Sequence, residues 1–390
     1  MTGAPFSLYV HVPFCAHKCP YCDFNTYATP HVPEVEYVEA LVAELRRYAQ
    51  DPRFSGRGVS TVFFGGGTPS LLSASAIASI INSAHALFPL EAGAEVTLEA
   101  NPGDSSREKL AQFRDAGINR LSYGVQSFED TRLALLGRDH TAEQAKAAVA
   151  YAREAGISNI SVDIIFGTPR QTLDDLAQDI RTAASLPISH LSTYSLTIEP
   201  GTPFFQRQER GLLAMPDDGV VAEMLQTVPV LAGAEGFVRY EISNYARDGR
   251  QSSHNTVYWT GGDYLGIGAG AHSYVAQCRD GLVVAGERWS TVALPQSYMR
   301  NAGSQQVIAW SENVQEHSLW FEFFYLGLRR LSGVTASDFQ RRFGRSLWDE
   351  YGQQLGELAA EGFVRVDGEC VALTDRGIVV ADSVFERFVR

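Results

Sequence analysis

Three cysteines, Cys15, Cys19 and Cys22, fall within the segment VPFCAHKCPYCDF. Three thiolates on so short a loop can converge on one metal centre. A structural zinc ion, with His17 or His11 as fourth ligand, is one chemistry that this spacing allows. The other is a [4Fe–4S] cluster held by Cys15, Cys19 and Cys22, with one iron left open to a non-protein ligand. Cys278 and Cys370 stand far from the triad and read as ordinary small core residues. A second feature is the glycine run Gly65-Gly66-Gly67 followed by Thr68 and Pro69. Glycines there permit positive φ and close approach of a ligand to the backbone.

Loops of this kind need a scaffold, and the first half of the chain supplies a regular one. Short stretches rich in β-branched and aromatic residues begin near Ser7, Thr61, Glu95, Arg120, Asn159 and His190. Helix-like segments occupy the gaps: Val35–Tyr48, Ser73–Leu87, Ser106–Ala116, Thr141–Ala155 and Thr172–Leu186. Strand, helix and strand at this spacing make βαβ units and hence a parallel α/β sheet. Six repeats predict a partial (β/α)6 barrel, while an open doubly wound sheet fits the same pattern. In either case ligands bind at the C-terminal ends of the strands, where Gly65–Gly67, Glu99, Asn101, Gln126 and Gly167 fall.

Three segments are expected: a barrel over 1–200, an extension over 201–315, and a small C-terminal unit over 316–390. In the last, helix-like stretches at Ser318–Leu331, Ala336–Phe343 and Trp348–Glu361 precede FVRVDGECVAL, a hairpin turning at Asp367-Gly368. That pattern resembles a winged helix. Yet residues 316–390 hold nine basic and twelve acidic side chains, a net of −3, and the whole chain carries −13. Nucleic acid is therefore not an expected partner. No apolar run is long enough to span a bilayer and no secretory leader is evident, so the expectation is a cytoplasmic protein.

The cysteine segment resembles the cluster loop of the radical S-adenosylmethionine (SAM) superfamily. The resemblance implies that SAM chelates the open iron and is cleaved to a 5′-deoxyadenosyl radical. A fourth cysteine would block that position. GGGTPS, LEANP, RLSYGVQSF, LGRDH, VDIIFGTP, YEISNYA and HNTVYW follow in order. Together they resemble the coproporphyrinogen III dehydrogenase-like branch. Carried over by motif, that branch implies SAM contacts at Tyr9, Tyr21, Gly66, Gly67, Thr68, Glu99, Gln126, Arg138 and Asp163. The dehydrogenases carry a further cysteine two residues beyond the triad, whereas Cys22 here is followed by Asp23 and Phe24. Thr197 and His272 also depart from the residues expected at the enzymes' second SAM position. The sequence is instead most similar to the HemW-type haem chaperones.

That resemblance implies haem as a third cofactor, an unidentified haem-acceptor protein as partner, and no coproporphyrinogen dehydrogenase activity. His254, which opens the HNTVYW motif, is the expected haem ligand, since imidazole is a common axial ligand of haem iron. A core histidine bonded to its surroundings is the alternative. Gly266-x-Gly268-x-x-Ala271 formally matches a dinucleotide fingerprint, but it lacks the expected strand and βαβ unit, so close backbone packing is the reading.

Overall fold

The computed structural model describes residues 4–389. Six parallel strands form its centre: β1 (Phe6–Val12), β2 (Val59–Gly66), β3 (Leu90–Ala100), β4 (Arg120–Gln126), β5 (Asn159–Phe166) and β6 (His190–Ser195). Each pairs with the next in parallel, with register shifts at Phe6/Ser7, Val59/Thr61 and Tyr123/Gln126. Helices α1 (Glu34–Ala49), α2 (Ala74–Leu87), α3 (Arg107–Asp115), α4 (Ala142–Glu154) and α5 (Leu173–Ser185) connect them. Every helix boundary lies within about one residue of the sequence expectation. Local chemistry explains this: Ser73, Ser106, Thr141 and Thr172 each cap a helix through a side-chain oxygen that accepts a first-turn amide. Thr141 with Gln144 and Thr172 with Asp175 complete capping boxes. The strands are buried on both faces because the helices cover one face and the barrel interior the other.

The second segment does not form a separate body. Strands β7 (Val238–Arg239) and β8 (Asn244–Ala246) extend the sheet beyond β6, while β9 (Tyr264–Ile267) joins it on the far side, parallel to β1. Antiparallel β10 (His272–Arg279), β11 (Leu282–Thr291) and β12 (Ile308–Gln315) follow. The result is one twelve-stranded sheet in the order β12-β11-β10-β9-β1-β2-β3-β4-β5-β6-β8-β7. The fingerprint-like glycines lie on β9 and its end, so a strand does occur there, contrary to the sequence reading. Its packing role holds. A Cβ at Gly266 would sit 2.1 Å from the His272 carbonyl oxygen, and one at Gly268, where φ is +102°, would sit 2.3 Å from that of His11.

The C-terminal unit comprises α8 (Glu316–Gly327), α9 (Ala336–Phe343) and α10 (Leu347–Ala360) with a small sheet of β13 (Val334–Thr335), β14 (Val364–Asp367) and β15 (Cys370–Leu373). Asp367 belongs to the hairpin strand and pairs with Cys370, so the turn is one residue later than expected, with the positive φ on Gly368. This unit has an aromatic core of its own, which also takes in Tyr274, Val283 and Val314 from the large sheet. Neither outlying cysteine is a core residue: Cys278 is exposed and Cys370 half-buried. Among the described residues no helix is long and apolar enough to cross a membrane.

Candidate functional site

A cavity of about 440 Å³ opens at the C-terminal ends of the barrel strands. The cysteine loop after β1 forms one wall, and all three thiols line the space. Each sulfur is positioned by a neighbour from a different part of the fold. Thr68 Oγ1 donates to Cys15 Sγ at 3.6 Å, Arg138 Nη1 donates to Cys19 Sγ at 3.4 Å, and Thr26 Oγ1 lies 3.9 Å from Cys22 Sγ. Arg138 also binds Asn101 Oδ1 at 2.5 Å and the Gly124 carbonyl at 2.8 Å, which fixes it between β3 and β4.

The opposite wall is acidic. Glu99 and Asp163, at the ends of β3 and β5, are half-buried in the cavity floor, with no ion-pair partner among the described residues. Glu99 Oε2 accepts the Gly66 amide at 3.1 Å. Burial, and after it the charge of Asp163, push the Glu99 carboxyl up to about 7. Burial pushes Asp163 up to about 6 despite hydrogen bonds from Ser192 and Ser122. Two such carboxylates make a receptor for a cation. Gln126 ends β4 in a left-handed conformation, φ +71°, and its buried Oε1 has no hydrogen-bond partner among the described residues. An acceptor held in this way, at a strained position on a cavity wall, points to a ligand donor.

Of the residues singled out in the sequence, Cys15, Cys19, Cys22, Tyr21, Gly66, Gly67, Thr68, Glu99, Gln126, Arg138 and Asp163 all line this one cavity, as does Thr197. Tyr9 and His254 do not. They face a smaller space of about 260 Å³ inside the barrel, separated from the first by Glu99 and Asp163, which line both. Tyr9 donates to His11 Nδ1 at 3.0 Å, because the Nε2–H is given to the Asn25 carbonyl, and so does not reach the cavity. The glycines serve packing as well as ligand access. A Cβ at Gly66, where φ is +110°, would meet the His11 ring at 2.4 Å, and one at Gly67 would meet the Phe14 carbonyl at 2.6 Å.

His254 sits at the barrel floor on α7 (Ser253–Trp259) and is buried. Its Nδ1 lies 2.7 Å from Thr61 Oγ1 and its Nε2 2.9 Å from Tyr258 Oη. The tautomer follows from the neighbours. The Ser60 hydroxyl donates to the Phe6 carbonyl, so Ser7 donates to Ser60 and Thr61 donates to Ser7. Thr61 therefore accepts from Nδ1–H, and the Nε2 lone pair accepts the Tyr258 phenol. Burial lowers the imidazole to about 3. No lone pair is open to a haem iron, because both nitrogens are used inside the fold.

His11 is excluded from zinc binding for the same reason: both nitrogens are engaged, by Tyr9 and by the Asn25 carbonyl at 3.0 Å. Ser122, Asn101 and Tyr194 also line the cavity. Asn101 was visible at a strand end and Ser122 lies within RLSYGVQSF without being singled out, while Tyr194 belongs to none of the quoted motifs.

Comparison with known proteins decides the family. Residues 9–183 match the family model described as the Radical SAM superfamily, and residues 314–380 match that of the HemN C-terminal domain. The chain is 37% identical to the "Heme chaperone HemW" of Bacillus subtilis over 384 residues, covering 98% of this chain and 99% of that one. It is equally 37% identical to the HemW of Escherichia coli over 389 residues, with 99% and 98% covered. The chain belongs to the HemW family of radical SAM proteins. Relatives extend to a mitochondrial radical SAM domain-containing protein of Bos taurus, 37% identical over 387 residues, 97% of this chain and 86% of that one. The fold matches the solved coproporphyrinogen III oxidase (HemN) of Escherichia coli with a TM-score of 0.82 at 24% identity, over 99% of this chain and 90% of that one. That likeness establishes the partial barrel and its C-terminal unit. Within a HemW protein the strand-end cavity is the space in which a cluster and SAM belong, and its residues fit them: three thiols on one loop, two half-buried acidic residues facing a cationic ligand, and an unpaired amide oxygen.

Proposed function

We propose that this protein is a haem chaperone, binding haem and passing it to an acceptor protein in the cytoplasm. The observation that carries this reading is full-length similarity, at 34–37% identity, to proteins named as haem chaperones. Cys15, Cys19 and Cys22 hold a [4Fe–4S] cluster, and Glu99, Gln126, Asp163 and the Gly66–Thr68 loop hold SAM. When bound, the pair supplies one-electron chemistry at the open iron.

The chain's own residues have separable tasks. Glu99 and Asp163 place negative charge where a sulfonium or ammonium group lies. Arg138 donates to Cys19 and so favours added negative charge on the cluster. Gln126 offers its free Oε1 to a ligand N–H or O–H. The Cys22-Asp23-Phe24 sequence, lacking the enzymes' extra cysteine, supports a chaperone over a coproporphyrinogen dehydrogenase. Anaerobic haem titration beside a turnover assay tests the choice. Saturable uptake of about one haem per chain, without decarboxylation of coproporphyrinogen III, is expected. Product formed from coproporphyrinogen with SAM and reductant would refute it.

A further inference from the structure

Outside the barrel lies a second and larger cavity, of about 880 Å³, between strands β9–β11 and the helices α8 and α9 of the C-terminal unit. Its volume is in the upper range of small-molecule sites. The walls are aromatic: Tyr258, Tyr264 and Tyr274 from the sheet side face Phe321, Phe323 and Tyr325 from α8. Phe321 and Tyr325 stack with ring centres 5.6 Å apart and planes 22° from parallel. The Trp259 indole N–H is buried beside this space and has no hydrogen-bond partner among the described residues.

Four arginines also line it, and they divide into two kinds. Arg288 is held by Glu312 and Glu322, and Arg342 donates to the carbonyls of Thr260 and Gly261. Those two are structural. Arg330 has no side-chain partner among the described residues, and Arg341 is paired only with Asp338, one turn back on an exposed helix face. A slot with flat apolar walls, one uncommitted guanidinium and a second held only by the exposed Asp338 suits a planar, largely apolar ligand that carries carboxylates.

We propose that this slot, and not the barrel, receives haem, with the porphyrin between the aromatic walls and its propionates on Arg330 and Arg341. The proposal rests on the chaperone reading above and adds the place of binding. It also removes the conflict at His254, whose nitrogens are closed inside the barrel while the neighbouring Tyr258 and Trp259 of the same helix line the slot. His254 is then a positioning residue, acting on the site through the Tyr258 hydroxyl.

The test uses the full-length, cluster-loaded protein titrated anaerobically with haem, followed by the Soret band and by tryptophan fluorescence. The parent should bind saturably, and haem should quench Trp259, so that Trp259→Phe loses most of the quenching. Arg330→Glu combined with Arg341→Glu should weaken haem roughly tenfold or more, as expected for lost charge-assisted bonds. Haem dimethyl ester, which lacks the carboxylates, should bind the parent and this variant alike. Ala276→Trp, which fills the slot from β10, should lose both ligands while keeping its cluster. Parent-like haem affinity in the double arginine variant and in Ala276→Trp would overturn the site and leave the chaperone reading standing. Absence of saturable haem binding by the parent would overturn both.

Discussion

Glu99→Gln separates what the acidic floor does for the fold from what it does for a ligand. The residue is half-buried, and its carboxyl accepts only the Gly66 amide and lies near a second carboxylate. Its folded value of about 7, against the ordinary 4.5, is a difference in proton affinity equivalent to about 3 kcal/mol. The sign follows from the direction of the shift. A raised acid binds its proton more tightly in the folded state, so the associated stability is present below pH 4.5 and is lost as pH rises through about 7. Glutamine resembles the protonated acid and keeps an oxygen for the Gly66 amide. Parent and variant should therefore be equally stable near pH 4.5, while at pH 8 the variant should be the more stable, by up to about 3 kcal/mol. Urea unfolding of cluster-free protein across this range measures the difference. SAM binding should move the other way. Loss of one charge-assisted acceptor in a dry site costs about 1.5–3 kcal/mol, or roughly tenfold to a hundredfold in affinity. In the parent, SAM should bind more tightly as pH rises through 7. A variant with the parent's pH slope, or with undiminished SAM affinity, would refute the assignment of Glu99 as an unpaired anionic receptor.

Cys19→Ala should prevent reconstitution of the cluster, read as loss of bound iron, labile sulfide and broad visible absorption. Arg138→Met removes the guanidinium 3.4 Å from Cys19 Sγ, and the cluster's midpoint potential should shift to more negative values in an EPR-monitored redox titration. Gly66→Ala should destabilise the fold even without ligand, because its Cβ meets the His11 ring at 2.4 Å; a melting temperature equal to the parent's would contradict this. His254→Ala leaves the Tyr258 hydroxyl without its acceptor and a Thr61 lone pair without its donor around a cavity, at a cost of about 3 kcal/mol in chemical denaturation. If His254 acts on haem through the phenol, Tyr258→Phe should weaken haem to a similar degree with a smaller loss of stability.

Much of the barrel was legible because its signals are local. Ser73, Ser106, Thr141 and Thr172 mark helix starts within a single turn, and the strand-end residues Glu99, Gln126 and Asp163 follow once the strands are placed. The cysteine triad was legible for the same reason. What escaped the sequence was anything defined by orientation across the fold. Tyr9 sits on β1 with the right neighbours in sequence, yet its hydroxyl meets His11 and faces the interior. Gly66 reads as a ligand loop, yet the atoms that forbid a side chain belong to His11, fifty-five positions earlier. Of the aromatic slot only Tyr258 and Trp259, which close the HNTVYW motif, had a linear signature. Its two walls come from residues 258–288 and 319–342, and nothing in the sequence brings the second to the first.

The helix α7 explains how one short motif bears on two compartments. Four residues separate His254 from Tyr258, so both side chains project from one face, and the hydrogen bond between them spans that turn. His254 packs against Phe63 inside the barrel, with ring centres 4.9 Å apart, and Tyr258 packs against Tyr264 at 4.7 Å on the side of the slot. Trp259, one residue on, lines the slot, and Arg329 lies over its ring at 4.8 Å. The histidine is thus the anchor that seats the helix, and the two aromatics beyond it are what the helix presents. A motif read for one ligand resolves into His254, which holds the helix inside the barrel, Trp259, which lines the slot, and Tyr258, which lines both spaces. The cluster loop lies at the other end of the strands, beyond Glu99 and Asp163, so a ligand in the slot and one in the strand-end cavity occupy different spaces and have no atoms to compete for.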